Sequence, residues 1–322
     1  MALCTQNTDQ AAALLNEGKL VAIPTETVYG LAAKASLPEA VKQIFKVKNR
    51  PANNPLILHF PNLEAALPYI KTPKEEVLQL SQTFWPGPLT LLLEKSDLVP
   101  EVVTAGSTRV AIRVPSHPLT LELLEKLDAP LAAPSANPSG YISPTMALHV
   151  EKQLGEKIPM ILDGGACKRG IESTILGWDQ FDVPTIYRMG SITPEAIANC
   201  IGKTPILLNS ESKKIEAPGM LSKHYAPKTP TLITNNVEEV ILRHQNKKIG
   251  LIRSIPNKKN KWVFKEIILS ETGNFEEIAS NLYSKMHEMD AVQADLLIIE
   301  MVPEEGVGIA INDRLRRAAS LN

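Results

Sequence analysis

KVKNRPANNPLILHF, Lys46 to Phe60, joins the end of a helix, a stiff turn and the start of a strand in one short run. Ahead of it, Ala40, Val41, Ile44 and Phe45 form an apolar stripe behind Pro38, which predicts a helix over 38–48 with proline in its first turn. LILHF reads as a buried strand. Between them stand three cations (Lys46, Lys48, Arg50), two adjacent amides (Asn53, Asn54) and two prolines. Helix and strand in such close succession point to an α/β fold.

The alternation continues outward from this stretch. Upstream, a short helix capped by Asp9 and stopped at Gly18 precedes the buried strand KLVAIP. Downstream, helices are expected at Leu63–Ala66, Lys74–Phe84, Leu119–Leu127 and Pro194–Cys200. Strands are expected in PLTLLLEK, RVAIRVP, PLAAPSA, MILDGG, STILGW and PTIYRMG. Residues 1–208 thus read as one large α/β domain. Residues 209–230, with three prolines and no apolar period, read as a linker. From 231 to 322 a second rhythm follows: TLIT strand, 237–244 helix, KIGLIRS and WVFKEIILS strands, 274–289 helix, ADLLIIEMV strand, 311–319 helix. That order implies a small, mostly parallel sheet with helices on its faces.

Composition narrows the class. Lys+Arg is 34 against Asp+Glu 35, so the net charge of −1 argues against a surface that grips nucleic acid or an anionic membrane throughout. The three cysteines, Cys4, Cys167 and Cys200, form no CxxC pair, so neither a zinc ribbon nor a disulfide framework is expected. MALCTQNTDQ lacks the pattern of a signal peptide, and no apolar run approaches a membrane span, so a cytoplasmic location is expected. The common phosphate loops are missing: Gly202-Lys203-Thr204 lacks its partner glycine, and GVGIAI at 306–311 is one glycine short of a dinucleotide fingerprint. HExxH and GxSxG do not occur.

Instead, seven polar, stiff segments sit at expected strand ends: PTETVYG, KNRPANNP, STRVAIR, PSANPSGYISPT, ESTI, YRMGSIT and PGMLSKHYAP. In open α/β sheets such ends converge on a ligand crevice. Each also has a plainer reading. Thr25, Glu26 and Thr27 suit a cap, Lys46 and Lys48 suit a helix C-terminus, His59 suits a satisfied core, and Ser135 and Asn137 suit turns. Arg50 is harder to explain so, because a guanidinium fixed between Asn49 and Pro51 matches phosphate oxygens. Arg113 ends a strand fit for burial and calls for an anion.

PTETVYGL, KNRPANNPLILH, RVAIRVPSHP, APSAN-SG--SPT, GG----G-ESTI and YR-G together resemble the YrdC/Sua5 family of threonylcarbamoyl-AMP synthases. The HYAP linker and the second domain resemble its longer, Sua5-type form. The resemblance implies a twisted mixed-sheet YrdC-like domain with an open crevice and a small Rossmann-like C-terminal domain. It implies a nucleotidyltransferase that condenses L-threonine, bicarbonate and ATP to threonylcarbamoyl-AMP and pyrophosphate. That product serves N6-threonylcarbamoyladenosine formation at position 37 of tRNAs reading ANN codons.

By that resemblance the catalytic set is Lys48, Arg50, Ser135 and Asn137. ATP would meet Arg50, Asn54, Arg109, Asn137, Ser143, Arg188 and Tyr225, and threonine would meet Thr27, His59, Arg113, Ser135 and Ser173. Arg109 stands where related sequences often carry Thr, so its contact is expected from the backbone. Mg²⁺ is expected on the triphosphate, with no dedicated protein site. A downstream transferase would receive the product, and direct tRNA binding is expected to be weak. The rival is a non-enzymatic RNA-binding module, disfavoured by balanced charge and 5% aromatic residues. Carbamoyl transfer in hydrogenase maturation is disfavoured by the missing CxxC pairs.

Overall fold

Helix Pro38–Lys48 forms as its sequence requires, with proline in the first turn, Val41 and Ile44 buried and two lysines in the last turn. It ends because Asn49 takes the left-handed conformation (φ 51°, ψ 48°), which asparagine tolerates better than most side chains. The chain then crosses the turn and enters strand Ile57–His59. This strand pairs in parallel with Arg109–Arg113, setting His59 opposite Arg113, and antiparallel with Leu131–Ala132.

The computed structural model describes residues 1–208, 218 and 224–319. Among them an eleven-stranded mixed sheet runs in the order 3–5, 160–162, 21–23, 30–34, 131–132, 57–59, 109–113, 89–94, 174–178, 184–188, 206–207. A second, four-stranded sheet is parallel throughout, in the order 231–234, 296–300, 249–253, 263–268. The mixed α/β class and the parallel second sheet are therefore as expected.

Strand alternation separates the faces of the large sheet. Leu58, Ile112, Leu91 and Leu176 point into the main core with Val41, Ile44, Val77 and Leu80 of the helices. Their neighbours Ile57, Ala111, Leu92 and Ile175 point the other way and cluster with Tyr187. On that second face the same period of two brings forward His59, Arg113 and Ser173.

Some local expectations are corrected. The first helix is Thr8–Asn16, and its cap is Asn7, whose side chain accepts from the Gln10 N–H; Asp9 lies in the first turn. Strand Gly30–Lys34 and helix Ala147–Leu154 gave no clear signal: the first, GLAAK, has glycine and alanines in place of β-branched residues, and the second has no side-chain cap. The last helix begins at Val307, a turn early. Gly308 permits this, since a Cβ there would meet the Pro303 carbonyl at 2.2 Å. GVGIAI is thus a packing device. Of the expected lid PGMLSKHYAP, residues 219–223 lie outside the described residues, as do 209–217 of the linker.

Candidate active site

Because Asn49 reverses the chain, the Arg50 N–H reaches the Phe45 carbonyl at 2.9 Å and its side chain turns inward. Nε donates to the Asn54 carbonyl (3.1 Å), and Nη2 donates to Asn54 Oδ1 (2.6 Å) and the Pro55 carbonyl (2.8 Å). All three acceptors are neutral. Arg50 is only 8% exposed, and burial pushes its guanidinium down to about 9, with Arg188 adding repulsion and Tyr225 opposing it. Arg188 is similar: Nε and Nη2 donate to the carbonyl and hydroxyl of Ser173 (3.1 and 3.0 Å), and Nη1 donates to the Pro218 carbonyl (3.2 Å). Among the described residues, no carboxylate pairs with either arginine.

Lys48 lies beneath the site. It is fully buried, and its ammonium donates to the carbonyls of Ser135 (2.5 Å) and Asn137. Burial holds it well below the ordinary lysine range. The lysine therefore anchors the PSANPSG loop from beneath and does not line the cavity. Asn137 donates through Nδ2 to the carbonyls of Pro138 and Tyr141 (3.0 and 2.9 Å), and its Oδ1 is buried without a partner.

Arg113 does find an anion, but within the chain. Nη2 meets Glu26 Oε1 at 2.5 Å, Nη1 donates to the Thr27 hydroxyl (3.0 Å) and Nε to the Gly87 carbonyl (3.1 Å). Burial pushes the Glu26 carboxyl up, yet Arg113 outweighs it and holds the group below its usual range. The capping reading of Glu26 gives way to a buried ion pair. His59 lies beside this pair, pushed down to about 3 by burial and by Arg113, so its ring is neutral. Its Nδ1 is buried and unpartnered.

These groups meet. Thr27, Arg50, His59, Arg113, Ser135, Ser173, Arg188 and Tyr225 all line one cavity of about 50 Å³, with Pro218 and His224 among its other walls. Asn54 and Asn137 sit just behind it through the contacts above. Ser143 reaches it through Glu172, to which its hydroxyl donates at 2.6 Å. Gly190 lets YRMG approach ESTI so closely that a Cβ would meet the Thr174 nitrogen at 2.3 Å.

Arg109 is the exception. Arg109 starts the strand that Arg113 ends, about 13 Å away at strand rise, and its Nη1 donates to the Trp178 carbonyl and the Tyr187 hydroxyl (both 2.9 Å). It lines a separate depression of about 740 Å³ on the sheet, with Lys71, Lys74 and Leu208.

Three residues escaped the sequence reading as site components. Glu172, in the ESTI motif, is a buried junction. Tyr283 and Arg314, from helices of the second domain, both donate to its Oε2 at 3.0 Å. Arg314 lies in the INDRLRRAAS ending, and an arginine between apolar helix residues was the available signal.

Four histidines are held neutral by burial, His59, His149 and His224 near 3 and His287 near 4. Unfolded imidazoles bind protons below about 6.5 and these do not, so stability falls as pH drops from 6.5 toward 4. Glu26 and Glu172, held below the usual range, lose their contribution only at still lower pH. A fall in Tm between pH 7 and pH 5, reduced in a His224→Gln variant, is the expected result. A flat profile would refute it.

Comparison with known proteins matches the chain in two parts. The family described as "Telomere recombination", covering Sua5, YciO and YrdC, matches residues 13–190, and the "Threonylcarbamoyl-AMP synthase, C-terminal domain" family matches 192–320. A threonylcarbamoyl-AMP synthase of Pyrococcus abyssi is 41% identical, covering 96% of this chain and 93% of its own; one of Bacillus subtilis is 39% identical, covering 96% and 92%. The solved structure of P. abyssi Sua5 complexed with L-threonine superposes with a TM-score of 0.91 at 38% identity, over 99% of this chain and 97% of that one. The chain belongs to the Sua5/YrdC family of threonylcarbamoyl-AMP synthases and is an enzyme of the nucleotidyltransferase type.

Proposed function

We propose that this protein condenses L-threonine, bicarbonate and ATP into threonylcarbamoyl-AMP, with release of pyrophosphate, in the cytoplasm. The observation that carries the reading is a pair of buried arginines, Arg50 and Arg188, held among the described residues only by neutral acceptors, beside a polar recess at Thr27, His59 and Arg113. Uncompensated buried cations are costly, and a triphosphate relieves that cost.

The threonine amine attacks bicarbonate-derived CO₂ and loses a proton to give a carbamate. A carbamate oxygen then attacks the α-phosphorus in line, and pyrophosphate leaves with the bonding pair. Arg50 and Arg188 stabilise the charge that develops on the phosphoryl oxygens. Arg113, already half-satisfied by Glu26, offers its remaining N–H groups to the threonine carboxylate. Thr27, Ser135, Ser173 and the neutral His59 serve its hydroxyl and amine; the P. abyssi relative solved with L-threonine supports threonine as the substrate. Asn54, Asn137 and Ser143 shape the nucleotide side from behind, and Lys48 holds the Ser135–Asn137 loop in place. A nucleotide reaching toward Arg109 would extend over the apolar floor of Ile57, Ala111 and Ile175. Magnesium enters as part of the nucleotide substrate, since the cavity carboxylate Glu172 already accepts three hydrogen bonds. The product would pass to the transferase that modifies adenosine 37 of tRNA.

A cavity of about 50 Å³ holds a water or two, not ATP. Tyr225, Pro218 and His224 close it, so these three must withdraw to admit substrate and return to exclude water from a labile anhydride. Tyr225→Ala is expected to cut the yield of intact adenylate about tenfold while pyrophosphate release persists, because product leaks and hydrolyses. Unchanged yield would make these residues a passive spacer. The reaction itself is tested by following pyrophosphate with ATP, Mg²⁺, bicarbonate and a panel of amino acids, without tRNA. Release that does not depend on threonine would sink the proposal.

A further inference from the structure

Glu172 is 5% exposed and sits next to Ser173, the residue that holds Arg188 through both its carbonyl and its hydroxyl. A carboxylate at that spot is a natural partner for Arg188, yet the two form no ion pair. Instead Glu172 Oε2 accepts from Arg314 Nε and the Tyr283 hydroxyl, each at 3.0 Å, and Oε1 accepts from Ser143. Arg314, 1% exposed, also donates through Nη2 to the carbonyl of Met189, the neighbour of Arg188 (2.6 Å). Its Nη1 meets Asp313 at 2.7 Å, and its guanidinium stands 5.3 Å from the centre of the Tyr225 ring. Arg314 thus brackets the Arg188–Ser173 contact from both sides, gripping the residue adjacent to each.

Charges near the cavity can then be paired off. Arg113 is matched by Glu26 and Glu172 by Arg314, which among the described residues leaves Arg50 and Arg188, with Lys48 behind the cavity, with neutral partners only. We propose that Arg314, with Tyr283, is a positioning residue supplied by the second domain: it occupies Glu172 so that Arg188 stays free for the substrate phosphates. The inference rests on the functional reading above and gives the second domain a direct electrostatic task in the first. Without Arg314, Glu172 would be a buried carboxylate in need of a cation, and Arg188 is the cation at hand.

The test is a suppressor experiment on the full chain, reading MgATP affinity by titration calorimetry and KM against kcat by pyrophosphate release. Arg314→Met should weaken MgATP binding about 100-fold. Adding Glu172→Gln, which removes the competing charge and can accept from one of the Ser143 and Tyr283 hydroxyls while donating to the other, should recover at least about tenfold of that loss. A merely structural arginine predicts no such rescue, so a double variant as poor as the single one overturns the inference, as does wild-type affinity in Arg314→Met. If Arg314→Met does not fold, Tyr283→Phe replaces it. This variant should raise the KM for ATP about threefold to tenfold with kcat little changed, again reversed by Glu172→Gln, and an unchanged KM overturns the inference. Failure of the wild-type chain to bind MgATP sinks the functional reading and this inference with it. Wild-type binding with indifferent variants sinks this inference alone.

Discussion

Arg50→Ala is expected to lower threonylcarbamoyl-AMP synthesis by about 10³-fold or more, the range for removing a fixed cation from a transferring phosphoryl group. The fold should survive. Arg50 donates only to the Asn54 carbonyl, Asn54 Oδ1 and the Pro55 carbonyl, and the truncation opens space through which water can reach all three. A stability loss of at most about 2 kcal/mol is anticipated. Arg50→Lys keeps the charge but not the fork, so it should recover only part of the rate. Circular dichroism and a denaturation curve would establish folding, and pyrophosphate release the activity. A fully active Arg50→Ala variant would remove the central cation from the mechanism.

The second large effect concerns Arg113. Arg113→Met should destabilise the protein by about 3–5 kcal/mol, because Glu26 is left charged, buried and unpaired. It should also abolish threonine-dependent pyrophosphate release. The two losses are separable. In Arg113→Met combined with Glu26→Gln the stranded charge is gone, so stability should largely return while activity does not. Recovery of both would mean that Arg113 serves the fold and leaves threonine to other groups. Recovery of neither would mean that the pair is not the source of the instability.

These two arginines illustrate how far local chemistry can be read from a sequence. That Arg50 is aimed inward was legible, because proline, asparagine and a helix end restrict the backbone on either side of it. That Arg113 requires an anion was legible too, since a strand fit for burial cannot leave a guanidinium unpaired. The anion's identity was not. Glu26 looked like a cap, and only the parallel pairing of 57–59 with 109–113 and the return of PTETVYG to the same edge bring it within 2.5 Å. Lys48 shows the opposite outcome. Its charge suggested phosphate, but the loop 89 positions away places two carbonyls on its ammonium first.

The strand–helix rhythm, the parallel second sheet and the seven polar corners at strand ends were legible from periodicity, prolines and caps, all of which act over a few residues. What the tertiary structure decided was partnership: Lys48 with Asn137, Arg113 with Glu26, and Glu172 with an arginine 142 positions further on. Buried charges interact strongly only across a few ångströms in space, and distance along the chain does not reveal which of them will come that close.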